Sequence, residues 1–240
     1  MELENNNFFD ISKFPAKHGM IVFPISMSRI YNAQSGDKYF EYLEYFESKA
    51  KKPLVGVTFI YTDSLYRRYN QESGEHMKKY FNMMLDHKNA YLKKLRKTLY
   101  LEKATSFFTW DQICFNVEKF DIYMEKVKDF YNKDDMWKEF IEIDIKESGR
   151  EVNEQNINFI IEEALISYLI TKGKAFLPNE FVQNHEEWIL LCYPGKKMTS
   201  FVYFYQKNIF NINNEKNIYQ DSFYNLDDKK LFDYNRLTLN

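Results

Sequence analysis

The chain lacks the features that mark several large classes of protein. Its 240 residues include only two cysteines, seven glycines and five prolines. Two cysteines are too few for a disulfide framework, and no apolar run reaches the roughly 18 residues of a membrane-spanning helix. The first seven residues are acidic and polar, unlike the apolar core of a secretory signal. We therefore expect a cytoplasmic protein that neither crosses a membrane nor is stabilised by disulfides.

Motifs for bound cofactors are also missing. The sequence contains no Walker phosphate loop and no G-x-G-x-x-G fingerprint. It has four histidines and no close cluster of cysteine and histidine of the kind that holds structural zinc. We predict that the protein uses no nucleotide cofactor and binds no metal.

The residues that are present favour a single globular domain. Apolar residues make up 45% of the chain and aromatic residues 18%, which excludes disorder and allows a large core. No stretch rich in serine, proline or glycine separates two halves. We predict one domain over residues 1–240, with residues 1–18 as an N-terminal extension and residues 208–240 as a polar tail.

The order of the predicted elements favours an α/β fold. Apolar strands at residues 20–26 and 54–61 flank a helix at 37–51, which is the pattern of a right-handed crossover. The fold class that we predict is Rossmann-like, with a mainly parallel sheet flanked by helices. The remaining elements are long helices at 76–103 and 153–172, further helices at 64–71, 117–131 and 136–146, and strands at 188–192 and 201–205, with loop and strand around Trp110.

A serine follows the first strand directly. Ser26 ends the apolar run, and Pro24 lies two residues before it. Polar residues at the carboxyl ends of parallel strands form the active sites of open α/β sheets. A serine hydroxyl needs an assisting base, however, and the sequence offers neither a nucleophile elbow nor an obvious histidine partner. Taken alone, Ser26 is better explained as an ordinary strand-end serine that bonds a turn. Ser28 is the second candidate nucleophile.

A glutamate on the helix predicted at 153–172 is the candidate acid or base. Glu163 shares a helix face with Phe159, four residues earlier, and lies at the edge of the apolar stripe. A carboxyl group in such a place tends to have a raised pKa, which suits proton transfer or the binding of an amine. Glu162 is the exposed alternative, and a solvated glutamate at the border of the stripe is the other explanation.

A tyrosine follows the strand predicted at 188–192. Tyr193, Pro194 and Gly195 come next in the chain, so a phenol that can donate or accept a hydrogen bond lies at a strand's carboxyl end. An ordinary Pro-Gly turn explains the same residues.

Positive charge is concentrated in one segment. Residues 76–103 carry a net charge of +6, which leaves −8 for the rest of the chain. Such a segment favours a polyanionic partner, most simply a nucleic-acid backbone, although a solvated helix face has the same composition. The cations that we assign to this partner are Lys88, Lys93, Lys94, Arg96 and Lys97.

In this order and spacing, these features resemble the tRNA-dependent cyclodipeptide synthases. The serine after the strand at 21–26, the basic helix, the Phe159-to-Glu163 spacing and the Tyr193-Pro194 pair all match. Further matches are Asp63-Ser-Leu-Tyr-Arg67 and Thr109-Trp-Asp111. The Tyr-Pro pair, with Arg29 where another branch has asparagine, is similar to the branch defined by that signature. Two positions depart from the family: Pro24 replaces its usual glycine, and Phe159 replaces its usual tyrosine.

The resemblance implies a fold like the catalytic domain of a class I tyrosyl- or tryptophanyl-tRNA synthetase without its ATP site. Its substrates would be two aminoacyl-tRNAs, which are already activated esters, so no cofactor or metal is implied. Ser26 would take the first aminoacyl group as an ester. Glu163 would hold or deprotonate the amino group, with Tyr193 assisting and Phe159 nearby. A second aminoacyl-tRNA would accept the group, and ring closure would release a diketopiperazine.

The substrate pocket and the partners complete this hypothesis. We expect Phe23, Phe59 and Tyr61 to line the first pocket. Pro24, Arg29 and Pro194 are expected beside it, in a protein that acts as a monomer. Two alternatives remain open at this point. One is an enzyme that passes the amino acid from tRNA to a different acceptor; the other is a non-catalytic tRNA-binding module of the same fold.

Overall fold

The computed structural model describes residues 18–49, 54–70, 73–97, 104–175, 187–194, 198–213, 219–225 and 230–233. Within these residues the chain forms six strands: β1 (His18–Ile25), β2 (Leu54–Tyr61), β3 (Ala104–Thr109), β4 (Glu187–Pro194), β5 (Tyr219–Asn225) and β6 (Lys230–Asp233). It also forms eight helices there: α1 (Gly36–Lys49), α2 (Asp63–Tyr69), α3 (Gly74–Leu95), α4 (Trp110–Phe115), α5 (Phe120–Lys133), α6 (Asp135–Glu147), α7 (Glu154–Thr171) and α8 (Thr199–Lys207).

One sheet contains all six strands, in the order β3-β2-β1-β4-β5-β6. Neighbouring strands are parallel except β5 and β6, which pair antiparallel. The order runs outward from β1 in one direction to β3 and in the other direction to β5. The right-handed crossover rule therefore places the helices of the two halves on opposite faces. This confirms the predicted Rossmann-like α/β fold.

Aromatic rings fill the space between the sheet and helices α1 and α3. Phe23 of β1 lies opposite Phe59 of β2 in the strand register, and the two rings stack with centroids 5.8 Å apart. Tyr39 of α1 packs on both rings, and Tyr91 of α3 meets Phe59 edge-on at 4.7 Å. Successive residues of a strand point to opposite faces of the sheet, and this alternation determines which side chains of β1 and β2 enter the layer.

Helices α1 and α3 contact each other closely at Gly36. A Cβ atom at this position would lie 2.3 Å from the backbone oxygen of His87 and 2.7 Å from the backbone nitrogen of Tyr91. Only glycine allows this approach. The segment that follows Ser26 is thereby held against α3.

Helix α7 is the central helix of the second layer. It contacts α2, α5, α6 and α8, and also the strands β4 and β5. Its side chains are buried almost all round, as expected for a helix enclosed by other elements. The helix therefore carries Phe159 and Glu163 into the interior, close to the carboxyl edge of the sheet.

The strand predicted at residues 201–205 is wrong, because these residues belong to α8. The segment is rich in aromatic and β-branched residues, which favour strands. The helix begins here because a carboxylate from another helix caps it: Asp144 of α6 accepts hydrogen bonds from the backbone N–H groups of Thr199 (3.1 Å) and Ser200 (2.8 Å). This cap comes from residues more than fifty positions away, so local sequence could not predict it.

Other boundaries differ from the predictions in smaller ways. The residues predicted as a polar tail contain β5 and β6, which extend the sheet. The basic helix ends at Leu95 and is followed by a turn at residues 96–97, while residues 98–103 lie outside the described part. Trp110 starts a short helix, α4, capped by Thr109 and Gln112 in a capping box.

Candidate active site

The carboxyl ends of β1 and β4 form the topological switch point of the sheet. In the described part of the chain, the pairing between β1 and β4 ends at Val22 and Leu191, although both strands continue beyond these residues. The next hydrogen bonds along this ladder would need the N–H groups of Pro24 and Pro194, and proline has no N–H group. The two strands therefore cannot pair beyond this point. A gap at a switch point is where open α/β sheets bind their ligands.

Hydrogen bonds from side chains fix the backbone at the end of β1. The Pro24 carbonyl accepts a bond from the Tyr39 hydroxyl (3.2 Å), and the Ile25 carbonyl accepts from the Thr62 backbone N–H and hydroxyl (3.0 and 2.8 Å). The Ser26 backbone N–H donates to Oε1 of Gln34, 2.7 Å away. Each polar backbone group that strand pairing leaves free is thus bonded, which holds Ser26 in one position.

The Ser26 side chain belongs to a cluster of three hydroxyl groups. Its Oγ lies 2.7 Å from the Tyr66 hydroxyl and 2.9 Å from Oγ of Ser28, and the Tyr66 hydroxyl lies 2.9 Å from Ser28. Ser26 is only 6% exposed, whereas Ser28 is exposed. The cluster therefore connects a buried serine to the surface. Tyr66 was not predicted to take part in the site.

Arg150 lies beside this cluster. Its guanidinium donates a hydrogen bond to the Tyr66 hydroxyl (3.2 Å) and lies over the ring of Phe159, 4.5 Å from the centroid. Phe159 is 3% exposed and meets the Tyr66 ring edge-on at 5.0 Å. The structure thus brings Phe159 close to Ser26, with Tyr66 between them. Phe159 contributes packing here, since it has no polar group.

Glu163 has a carboxyl group in a desolvated position. Burial raises its pKa from the usual 4.5 to about 7, while the positive charges of Arg150 and Arg29 oppose this rise. A group with a pKa near neutrality can both accept and return a proton. The charges acting on Glu163 also show that it shares its surroundings with Arg150, the neighbour of the hydroxyl cluster.

Tyr193 completes the group of predicted catalytic residues that lie together. Burial raises the pKa of its phenol to about 12, and the Glu163 charge adds to the rise, while Arg29 and a hydrogen bond from Gln34 oppose it. The Arg29 guanidinium lies 5.9 Å from the centre of its ring. Gln34 thus bonds both the Ser26 backbone and the Tyr193 phenol. One small region therefore contains Ser26, Glu163 and Tyr193.

The prediction that Glu162 is exposed is wrong. Glu162, interpreted as the exposed alternative, is 1% exposed and forms an ion pair with Arg68 at 2.7 Å. Its carboxylate also accepts hydrogen bonds from the Tyr69 hydroxyl (2.6 Å) and the Trp110 indole (2.8 Å). Because α7 is buried on nearly every side, helical periodicity does not separate an exposed from a buried face. Glu162 joins α2 and α4 to α7.

The residues predicted to line the first pocket occupy different places. Phe23 and Phe59 have no exposed surface and lie in the aromatic layer under α1 and α3, so they contribute to the core. Tyr61 is also buried, and its hydroxyl lies 2.9 Å from Nδ1 of His87. Pro24 is buried at the gap between β1 and β4. The side chain of Pro194 lies outside the described part, although its backbone belongs to β4.

The predicted tRNA-binding cations lie on or just after the last turns of α3. All five are exposed, and none forms an ion pair with another residue of the described part. The Lys88 amine lies over the Phe107 ring, 4.9 Å from its centroid. Their charge is therefore available to a partner. The five residues are Lys88, Lys93, Lys94, Arg96 and Lys97.

A cleft of about 310 Å³ opens between α2, α3 and the end of β3. Tyr80, one of its lining residues, contacts the ring of Tyr66 edge-on at 6.1 Å. The cleft therefore lies next to the hydroxyl cluster and on the side of α3. Its polar lining includes Asp63, Arg67 and Asp111.

Sequence reasoning missed Gln34, Tyr66 and Arg150. One signal could have indicated Tyr66: α2 starts directly after β2, a neighbour of β1, so its first turns lie at the same sheet edge as Ser26. No comparable signal exists for Arg150, which follows α6 in a turn far along the chain. Gln34 lies in the turns between β1 and α1, where glutamine is unremarkable.

Two further properties concern the described residues as a whole. No group of three or more histidine, cysteine, aspartate or glutamate side chains among them is arranged to hold a metal ion. None of the helices among them combines the length and apolar character needed to span a bilayer. Both cysteines, Cys114 and Cys192, are buried, and neither forms a disulfide.

Comparison with known proteins gives a match in structure. No protein-family model matches the sequence, and no curated protein matches it. A CDPS (cyclodipeptide synthase) from Fluoribacter dumoffii is similar at a TM-score of 0.56 and 15% identity, over 87% of this chain and 89% of that one. A cyclodipeptide synthase from Streptomyces noursei is similar at a TM-score of 0.52 and 10% identity, over 89% and 97%.

A third structure places the fold in a wider group. A Mycobacterium tuberculosis protein, reported as showing that cyclodipeptide synthetases are related to type I tRNA synthetases, has a TM-score of 0.51 and 13% identity, over 86% of this chain and 85% of that one. At such identities the likeness concerns the fold. The chain therefore has the α/β fold that these proteins share, over nearly the full length of each.

Proposed function

We propose that this protein makes cyclodipeptides from two aminoacyl-tRNAs through an aminoacyl-serine intermediate. The observation that carries the proposal is the meeting of Ser26, Glu163 and Tyr193 at the switch point of a fold shared with cyclodipeptide synthases. These residues come from β1, α7 and β4, so their proximity depends on the tertiary fold. The Tyr193-Pro194 pair further supports the branch defined by that signature.

The first step is transfer of an aminoacyl group to Ser26. The Ser26 oxygen attacks the ester carbon of the first aminoacyl-tRNA, and the ribose oxygen leaves. An aminoacyl ester is already activated, so the reaction needs neither ATP nor a metal ion. Glu163 would hold the α-ammonium group of the bound residue, and its neighbour Tyr193 would donate or accept a hydrogen bond beside it.

The second step joins the two residues. The amine of the first residue, deprotonated by Glu163, attacks the ester carbon of the second aminoacyl-tRNA, or the second amine attacks the acyl-serine; either order gives a dipeptidyl ester. Attack of the remaining free amine on that ester closes the six-membered ring. A carboxyl group with a pKa of about 7 can accept each of these protons and return it near neutral pH.

The tRNA would bind along the exposed cations of α3. Lys93 and Lys94 lie in the last turn of the helix, and Arg96 and Lys97 follow it. Contacts between such residues and phosphates are independent of sequence and weaken as the salt concentration rises. The reaction would take place in the cytoplasm, where charged tRNAs are found.

The test is expression of the wild-type chain and Ser26→Ala, with mass spectrometry of the culture medium. We expect a diketopiperazine from the wild type and none from Ser26→Ala. The Thr171→Ser variant, changed at a buried hydroxyl on α7 that bonds the Tyr168 carbonyl, is the control and should retain product. Absence of any cyclodipeptide with intact tRNA binding would contradict the proposal and support a binding module. An amino acid transferred to another acceptor would support a different transferase.

A further inference from the structure

We propose that Tyr66 is a catalytic residue, which takes the proton of Ser26 during acyl transfer and passes its own proton to Ser28. This inference rests on the proposed function for the identity of the acyl donor. It concerns a group that the sequence did not indicate and that lies 2.7 Å from the reacting oxygen. The chain supplies this phenol from α2, whereas position 159 on α7 holds a phenylalanine.

The donors and acceptors around Tyr66 determine the direction of proton transfer. A guanidinium can only donate, so Arg150 occupies one lone pair of the phenol oxygen. The single phenol proton is donated to Ser28 at 2.9 Å. The second lone pair of the phenol oxygen is then free to accept the proton of Ser26. All three bonds of the hydroxyl are satisfied in this arrangement, and the chain runs from Ser26 to Tyr66 to Ser28.

No stronger base contacts the nucleophile. Among the described residues, the Ser26 hydroxyl lies within hydrogen-bond distance of Ser28 and Tyr66 only. Within the described part of the chain, the nearby carboxyl group of Glu163 forms no hydrogen bond with these hydroxyls and interacts instead with the charges of Arg150 and Arg29. Tyr66 is the buried member of the pair that contacts Ser26, and Ser28 is the exposed member. A proton can therefore reach the surface through these two hydroxyls.

Acyl transfer exchanges one carbon–oxygen bond for another and moves three protons. The bond between Ser26 Oγ and the acyl carbon forms while the bond between that carbon and the tRNA ribose oxygen breaks. The Ser26 proton moves to the Tyr66 oxygen, the Tyr66 proton moves to Ser28 Oγ, and the Ser28 proton moves to the leaving ribose oxygen. When the acyl group leaves Ser26, protons move through the same three side chains in the reverse direction. The attacking amine supplies the proton, and the Ser26 hydroxyl forms again.

Packing explains why Tyr66 holds this position. Its ring meets Phe159 edge-on, and Arg150 lies over both rings, 5.4 Å from the centroid of Tyr66 and 4.5 Å from that of Phe159. Three residues further along α2, Tyr69 bonds the buried Glu162 of α7. Helix α2 is thus attached to α7 at this point, and the phenol cannot swing away from Ser26.

The first measurement is the rate at which the aminoacyl-enzyme forms in a single turnover. Intact-protein mass spectrometry monitors its formation, and the total aminoacyl-tRNA pool of the expression host is the acyl donor. We expect Tyr66→Phe to slow this step by about 100-fold or more, as for loss of a proton-transfer group, with tRNA affinity unchanged. Tyr203→Phe is the matched control, since this tyrosine is also buried but its phenol bonds Asp134 at the start of α6. It should react at the wild-type rate.

A second readout separates proton transfer from packing. Replacing Tyr66 by 3,5-difluorotyrosine keeps the ring and its bonds but makes the phenol more acidic, so the pH dependence of acylation should shift. An unchanged pH profile together with a Tyr66→Phe rate within about threefold of wild type would overturn the proposal.

A third readout distinguishes this inference from the proposed function. Acylation of Ser26 by p-nitrophenyl acetate needs no tRNA, and Tyr66→Phe should slow it as well. If the wild type reacts with this ester but never with aminoacyl-tRNA, the proposed function fails while the role of Tyr66 stands. If Tyr66→Phe slows only the tRNA-dependent reaction, Tyr66 contacts the tRNA and its role in proton transfer is wrong.

Discussion

Two glutamates that are adjacent in the sequence of α7 have opposite surroundings. Glu162 is paired with Arg68 and accepts bonds from Tyr69 and Trp110, so its charge is fully compensated. Glu163 has only the more distant charges of Arg150 and Arg29, and desolvation raises its pKa to about 7. One carboxylate is therefore bonded in a fixed network, while the other can exchange a proton.

The difference shows how a buried helix can carry structural and chemical groups at consecutive positions. Residues one apart on a helix point about 100° away from each other, so a helix enclosed on all sides presents them to different neighbours. Glu162 faces α2 and α4, and Glu163 interacts with the charges of Arg150 and Arg29 and lies near Tyr193. Exchanging either for glutamine tests this division, because glutamine keeps the shape and removes the charge.

The largest effect is expected from Glu163→Gln on activity. An amide cannot take a proton from an amine, so the rate of cyclodipeptide formation should fall by about 100-fold or more. Stability should not fall. The folded-state pKa lies above the unfolded one, so the ionised group disfavours the folded state, fully above pH 7 and not at all below about pH 4.5. Urea unfolding at pH 8 should therefore find the variant at least as stable as the wild type.

Unfolding midpoint and product yield together check this prediction. Glu142→Gln, on the exposed face of α6 in a pair with Lys146, is the matched control and should change neither. A Glu163→Gln variant that loses stability but keeps its activity would show that the roles of the two glutamates have been assigned the wrong way round.

A smaller effect is expected from Glu162→Gln, and on stability. The variant removes the closer of the two carboxylates that pair with Arg68, at a cost of about 2 kcal/mol. A fully buried pair would cost more, but Arg68 is partly exposed and keeps its ion pair with Asp111. Urea denaturation gives this value directly. The folded fraction should still form product, within about tenfold of the wild-type rate. Complete loss of activity at unchanged stability would contradict the structural role.

The smallest effect is expected from Arg29→Met, on the pH dependence of the reaction. The Arg29 charge lowers the pKa of Glu163, so its removal raises that pKa further. If the carboxylate is the active form, the acidic limb of the pH–rate profile moves to higher pH, by less than about one unit. Arg29→Lys, which keeps the charge, should leave the limb in place. If the basic limb moves to higher pH instead, the protonated form of Glu163 is the active one, and a shift to lower pH would contradict the influence of Arg29 on this carboxyl group.

The sequence was sufficient for the parts of the fold that depend on local pattern. Strand β2 was predicted with its observed bounds, and α1 and α7 within two residues at each end, because apolar runs and helical periodicity mark them directly. Helix α8 was missed because its first turn is capped by Asp144 of another helix. Strands β5 and β6 were missed because their polar sequences become strands only by pairing with the sheet.

The residues of the candidate site also differ in whether local sequence could predict them. Ser26, Glu163 and Tyr193 lie in or directly after elements that the sequence marks clearly, so their positions in the fold could be inferred from the sequence. Tyr66 and Arg150 reach the site only because α2 and the turn after α6 pack against α7, and that arrangement depends on contacts between distant residues. The interpretation of Glu162 as exposed failed for a related reason: periodicity indicates one buried face, and α7 has several.

The two prolines at the gap between β1 and β4 have a consequence for ligand binding. A substrate that enters between two paired strands must first break their hydrogen bonds, whereas Pro24 and Pro194 leave no such bonds to break at this depth. The unpaired strand ends are thus part of the resting state. Preorganisation of this kind keeps the entropy cost of binding low. Under the proposed function, the choice of amino acid would rest on the side chains around these strand ends.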